Sequence, residues 1–142
     1  MKHSRQREAL LNLLRSTRSH PTADWLYAEL RKEYPNISLG TVYRNLGVLA
    51  ANGDILVLNV SDGRDCFDGF THDHYHFVCN SCGSVSDVEL ALPFDINAEA
   101  EKLTGGEVEK HNLFFYGMCQ SCKNIQLHLH SFRKLFDFLI QG

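Results

Sequence analysis

Apolar residues recur at helical spacing three times within the first fifty positions, and then the period changes. From Ser4 to about Ser16, Ala9, Leu10, Leu13 and Leu14 form one stripe, with arginines on the other face. The stretch RSTRSHPTAD breaks it. Pro21 biases His20 away from α backbone, and Thr22 is placed to cap a second helix that runs to Tyr34 and buries Trp25, Leu26 and Leu30. Pro35 stops it. A third helix, capped by Ser38, runs to about Ala51 on an apolar stripe of Leu39, Val42, Leu46 and Leu49. Gly40, Thr41, Arg44 and Asn45 then lie on its opposite side, with Tyr43 at the edge, and Gly53 closes it.

Shorter, alternating runs follow. DILVLNV and RDCFDGF flank Ser61-Asp62-Gly63, an Asp-Gly hairpin signal. YHFVC and VSDVE read as strands around the Cys79–Cys82 pair. Pro93 opens a helix from about Phe94 to Leu103, ended by Gly105-Gly106, and EVEKHNLFFYGMC reads as one long strand. The last segment, Asn124 to Ile140, puts Ile125, Leu129, Phe132, Phe136 and Leu139 on one face of an amphipathic helix. Three helices and a hairpin within about 70 residues predict a winged helix-turn-helix domain over residues 1–69, its third helix suited to the major groove. Residues 70–142 make a second, mixed α and β domain, so the fold class is α+β. Tyr43, Arg44 and Asn45 are types that reach phosphates and base edges, and Arg7 and Thr41 complete the candidate DNA-binding set. A face that is merely solvated would more often carry Glu and Lys.

Composition narrows the class. Among 142 residues, 44% are hydrophobic and 22% charged, which is ordinary for a globular protein. The net charge of −3 hides an asymmetry: residues 1–60 carry eight basic against five acidic side chains, and residues 61–142 six against twelve. Only the front is suited to meet a polyanion. The apolar run near the N-terminus is short and broken by Asn12, so no signal peptide is expected, and no stretch approaches membrane-spanning length. The expected location is cytoplasmic, where five cysteines serve as thiols or metal ligands rather than disulfides.

The densest chemistry runs from Phe67 to Asp87 and holds Asp68, His72, Asp73, His74, His76, Cys79, Cys82 and Asp87. Cys79-Asn-Ser-Cys82 and Cys119-Gln-Ser-Cys122 are two C-x-x-C pairs 36 residues apart. Four thiolates in a tetrahedron suit Zn²⁺, and a closed site of that kind is structural. The rival, a pair of thioredoxin-like redox motifs, needs a C-x-x-C that opens a helix in a βαβ context, which the sequence does not offer. His74 and His76 alternate on a strand and face one way, within reach of Asp68 and Asp87. Nitrogen and carboxylate ligands favour Mn²⁺, Fe²⁺ or Zn²⁺. Cys66 shares a face with Asp68; it reads as a small buried hydrophobe or as a thiol that shifts the metal preference toward zinc.

The set resembles the ferric uptake regulator superfamily of bacterial metal-dependent repressors. The motifs that carry it are Ser-Arg-Gln-Arg at 4–7, His-Pro-Thr-Ala-Asp at 20–24, Thr-Val-Tyr-Arg-Asn-Leu at 41–46, Asp-His-Tyr-His at 73–76 and the paired C-x-x-C, covering about residues 4–123. The resemblance implies a winged-helix DNA-binding domain, a C-terminal α/β dimerisation domain with a four-cysteine structural zinc site, a homodimer on palindromic double-stranded DNA, and no enzymatic activity. It also implies a regulatory Fe²⁺ or Mn²⁺ at the domain junction. The peroxide-responsive branch is the most similar, and its motif positions fall on His20, Asp68, His74, His76 and Asp87. His20 enters through the resemblance alone, and with His74 it is an implied target of iron-catalysed oxidation. Two departures stand out: a short N-terminus, and a helix past Cys122 containing His128 and His130, for which packing against a partner subunit is the default role. The competing readings are an iron- or zinc-sensing regulator, a metalloenzyme using the His/Asp site, and a zinc-ribbon interaction module without a DNA role.

Overall fold

Helix α1 (Arg5–Arg15) turns Leu10 and Leu14 fully inward, as its stripe requires. In α2 (Ala23–Leu30) the Thr22 hydroxyl accepts the Trp25 N–H at 3.4 Å, satisfying one of the donors a helix start leaves open. Regular helix ends at Leu30, four residues before the expected Tyr34. Lys32 and Glu33 N–H groups bond back only three residues, to Glu29 and Leu30, the tightened last turn of a helix whose next residues must suit Pro35. Ala23, Leu26 and Leu30 face inward, while Trp25 is 41% exposed, contrary to expectation. At 100° per residue it lies off the 3–4 spaced stripe that the other three define.

Helix α3 (Leu39–Ala51) starts where the Ser38 hydroxyl accepts the Thr41 N–H at 3.1 Å. It ends in a left-handed Gly53 (φ 77°), with Gly53 N–H bonded to Ala50 O and Asp54 N–H to Leu49 O, the two-bond Schellman closure. Val42, Leu46 and Leu49 meet Leu10, Leu14, Leu26, Leu30, Ile37, Ile55 and Phe67 in one core. Each such side chain contributes about 1.5–3 kcal/mol when fully buried. The antiparallel strands β1 (Leu56–Asn59) and β2 (Asp65–Asp68) follow in the register Leu56↔Asp68.

The computed structural model describes residues 4–60 and 63–140. The expected turn at Ser61-Asp62-Gly63 thus lies partly outside the described residues; Gly63 itself is left-handed (φ 79°) and donates to Val60 O. The chain divides into two compact units between Asp73 and His74, four residues beyond the expected boundary.

In the second unit, β4 (Val85–Val88) pairs antiparallel with β3 (Tyr75–Cys79), and β5 (Phe114–Gly117) pairs parallel on its other edge. Helix α4 (Ile96–Thr104) begins later than expected because Asp95 caps it, accepting from Asn97 and Ala98 N–H, and left-handed Gly105 ends it. Strand β5 is much shorter than the expected run from Glu107. The α4 side chains divert the preceding residues, Glu101 accepting the Val108 N–H at 2.9 Å and Asn97 binding His111 Nδ1 at 2.7 Å. Helix α5 (Gln120–Ile140) starts four residues earlier than expected. Among the described residues of this unit, the buried apolar side chains are Val78, Cys79 and Val85, and neither α4 nor α5 buries any.

Two glycines give opposite expectations. A Cβ on Gly69 would sit 2.8 Å from the Leu14 carbonyl carbon and 2.9 Å from Arg15 N, both backbone. Gly69→Ala is expected to destabilise the first unit by about 1–3 kcal/mol. Gly47, inside α3 with nothing within 4 Å, should gain about 0.5–1 kcal/mol as Ala. Urea unfolding of the two variants checks both signs.

Candidate metal centres and nucleic-acid face

Parallel pairing explains the cysteine cluster. Because β3 and β5 run in the same direction with Cys79 opposite Gly117, both strands deliver their knuckles to one end of the sheet. After β3 the chain turns at once: Gly83 N–H returns to Cys79 O at 2.8 Å, and Cys79 N–H donates to Ser84 O at 2.9 Å. Cys119 follows β5 by two residues, and Cys122 lies in the first turn of α5. The four sulfurs all lie within 4.8 Å of one another, with Cys82 Sγ and Cys119 Sγ at 3.9 Å. Tetrahedral zinc with ~2.3 Å bonds to sulfur requires edges of ~3.8 Å, so the group fits a structural Zn²⁺.

Local donors prepare these thiols. The Cys119 N–H, chiefly, and the Cys82 N–H point at Cys79 Sγ, at 3.2 and 3.5 Å, and draw its pKa down to about 6. At Cys122 a Ser81 hydrogen bond pulls downward, but the Cys119 side chain, burial, Cys82 and Cys79 outweigh it and push that thiol up to about 12. Four crowded sulfurs cannot all ionise without a cation among them. The second C-x-x-C does open a helix, contrary to the expectation from sequence. Its two sulfurs nevertheless belong to a four-thiol group, as a zinc site requires and a two-thiol redox pair does not.

Each unit also brings nitrogen and carboxylate donors together. In the first, the residues flanking His20 are tied to β2: Pro21 O accepts the Phe67 N–H at 3.0 Å, and Thr22 bridges Cys66. His20 itself is left-handed (φ 53°), a conformation costing of order 1–3 kcal/mol for a residue other than glycine. Held this way it is 4% exposed, and its Nε2 lies 3.2 Å from Asp68 Oδ2. The other Asp68 oxygen accepts the Phe70 N–H at 2.8 Å. His20, which only the resemblance had singled out, is thus a buried group beside a carboxylate. Cys66 is buried and outside the metal-capable groups, so it behaves as the small hydrophobe.

In the second unit, the antiparallel register sets His76 opposite Asp87, and His74 precedes β3 by one residue. Asp87 Oδ1 lies 3.2 Å from His74 Nε2 and 3.7 Å from His76 Nε2. The two imidazoles are 4.5 Å apart, and His76 stacks on Phe114 at 5.6 Å, which fixes its ring. Two nitrogens converging on one carboxylate oxygen suit Fe²⁺, Mn²⁺ or Zn²⁺. His72 and Asp73, singled out by density alone, are exposed and belong to neither group. His111 is engaged with Asn97 and packs on Tyr75 at 5.7 Å.

Helix α3 presents Tyr43, 52% exposed, and Arg44 outward, with Arg44 Nη2 3.5 Å from the half-buried Thr41 hydroxyl. Asn45 corrects the expectation of an outward face. It is 4% exposed, and its Oδ1 accepts from Arg7 Nε on α1 at 3.2 Å. The apolar stripe is wide enough at Leu46 and Leu49 to turn Asn45 inward. No sequence signal marked this pairing.

A winged helix-turn-helix unit joined to a sheet unit with thiolate and imidazole-carboxylate ligands defines a metal-binding transcriptional regulator. The model of the ferric uptake regulator family matches residues 1–116, and the chain belongs to that family. It is 38% identical over 119 residues to the peroxide-responsive repressor PerR of Staphylococcus aureus strain USA300, covering 84% of this chain and 80% of that protein. Among solved structures it is similar to the Campylobacter jejuni peroxide stress regulator, with TM-score 0.74, 36% identity, and 82% and 88% of the two chains covered. It is also similar to the Helicobacter pylori ferric uptake regulator Fur, described as having three functional metal-binding sites, with TM-score 0.73, 25% identity, and 87% and 83% covered. At the family level the chain is a metal-dependent repressor rather than an enzyme. No helix among the described residues is long and apolar enough to cross a membrane.

Zinc binding and folding of the second unit are expected to be one event. Cys79→Ser and Cys122→Ser should each lose the single tightly held zinc and the folded second unit together, while the first unit, with its own core, keeps its unfolding transition. A zinc-free Cys79→Ser protein whose second unit stays folded, read by metal analysis and by hydrogen exchange of the β3–β5 amides, would contradict the structural assignment.

Proposed function

We propose that one divalent ion, Fe²⁺ or Mn²⁺, is shared by His20, Asp68, His74, His76 and Asp87, and that this shared ion makes the chain a peroxide-sensing repressor. The observation that carries the reading is His20, buried and held in a strained backbone beside Asp68. Strain is retained where function over-determines it. Two donors in one unit and three in the other are each too few for an octahedral ion, but five make a site with one position open. Asp68 and His74 are six residues apart in sequence, so the chain allows a separation of at most ~20 Å between their backbones. The likeness to a peroxide-responsive repressor over most of the chain supports the peroxide assignment.

The residues do the switching. An ion shared across the two units fixes one orientation of the DNA-binding domain, and it shifts the population by its differential affinity for that orientation. In a homodimer, that orientation presents two α3 helices to successive major grooves of a palindromic operator. Tyr43, Arg44 and Thr41 face the DNA, and Arg7 reaches the backbone while Asn45 holds it. Bound Fe²⁺ would supply the electrons that activate peroxide next to the imidazoles. His20 and His74 are the residues that then take up oxygen. An oxidised imidazole ligates poorly, the tie between the units is lost, and the DNA is released. Mn²⁺ at the same ligands supports repression without that damage. The reduced thiols of a cytoplasmic setting suit both this chemistry and the zinc.

Operator binding by apo, Mn²⁺-loaded and Fe²⁺-loaded protein, with and without a low peroxide dose, tests the reading. Both metal forms should bind, and only the Fe²⁺ form should lose DNA on peroxide, with one added oxygen on His20 or His74 by peptide mass analysis. Oxidation confined to the zinc cysteines, or an Fe²⁺ form that keeps its DNA, would point to a plain metal sensor instead. Separately, Arg44→Ala, which removes one contact from each copy of the dimer, should weaken binding and flatten its salt dependence by about two units of slope while leaving metal content intact.

A further inference from the structure

We propose that α5 is a self-association element, in which one apolar row pairs with the same row of a second copy of this chain. The row is Ile125, Leu129, Phe132, Phe136 and Leu139, spaced four, three, four and three residues apart. That is a 3.5-residue repeat, the period at which a helix supercoils against another helix rather than lying on an irregular surface. Every member is exposed, between 60% and 68%. Leu135 and Ile140 flank the row at its C-terminal end and are equally exposed. A solvated single helix would not keep so long a contiguous apolar face. Most of the helix lies beyond residues 1–116, which the family model matches.

Area and charge identify the occupant. With on the order of 100 Å² buried by each of seven side chains, the row and its flanks would cover ~700 Å² per copy, near the ~800 Å² that a stable interface uses on each partner. The positions bordering the row are Gln126, His128, Arg133, Leu135 and Ile140. Arg133 is the lone fixed charge among them, so the border neither repels an identical copy nor offers an oppositely charged stripe for a different partner. Lys123, His130, Lys134 and Asp137 fall on the opposite face. Leu127 and Phe138 also lie off the row and stay exposed in a pair. A twofold pair needs only one self-complementary patch, and this row is one.

Phe132 is the middle of the row, so it meets its own copy whether the helices run parallel or antiparallel. In the zinc-loaded protein, Phe132→Cys should form an interchain disulfide between the substituted positions at least tenfold faster than Lys134→Cys on the outer face. Hydrogen exchange provides a second reading that does not depend on any other interface. Amides of residues 125–139 should be at least tenfold better protected in the native protein than in Phe132→Glu/Phe136→Glu, with the α1–α3 amides unchanged. Equal cross-linking of the two cysteine variants would overturn the proposal. So would protection of α5 that appears only with phosphatidylglycerol vesicles, or that is the same in both proteins.

Discussion

The second unit has almost no apolar interior of its own, and that constraint shapes the rest of the molecule. Val78, Cys79 and Val85 are its buried apolar side chains among the described residues, against a core of eleven in the first unit. So small a buried set cannot offset the conformational entropy of ordering a three-stranded sheet and two helices. A Zn²⁺ held by the four thiolates would supply what packing does not, since structural zinc binding is folding free energy. The sheet topology follows the same logic, because only a parallel β3–β5 pair brings both C-x-x-C turns to one end.

The first unit has the opposite economy. Its core closes without a metal, so His20 and Asp68, the ligands proposed above, are not needed to hold it together and one of them can be strained. His20 is kept left-handed by the ties of its neighbours Pro21 and Thr22 to β2, and Gly69 lets the chain after Asp68 pass against the backbone of Leu14 and Arg15. Both His20 and Asp68 are therefore positioned by the helical unit itself, whose core includes Phe67 between Cys66 and Asp68. On the function proposed above, a change at the metal would be passed directly to α3. The Arg7–Asn45 bond adds a tie of α1 to the inner side of α3.

Much of this is legible in the sequence, for reasons particular residues make clear. Caps and breakers at Thr22, Ser38, Pro35 and Gly53 act locally, so helix starts and stops follow from them. The paired C-x-x-C carries its own geometry. What sequence could not reveal were effects decided by tertiary neighbours: the inward turn of Asn45, the exposure of Trp25, and the shortening of β5 by Glu101 and Asn97. His20 is the sharpest case. Family resemblance alone selects it, and the burial and positive φ that support its proposed role are properties of the fold. Helix α5 reads as amphipathic from its spacing, but that its apolar side chains stay exposed among the described residues is a property of the fold.

The central claim, that one ion is shared by ligands from both units, is tested most directly by counting imidazoles on bound Mn²⁺. Pulsed electron paramagnetic resonance on protein labelled with ¹⁵N-histidine reads those couplings. The account predicts three histidine nitrogens in the native protein and two in His20→Ala, with weakened Mn²⁺ affinity and an unchanged zinc content. An identical nitrogen count and affinity in His20→Ala would place the ion outside the shared site and contradict the account.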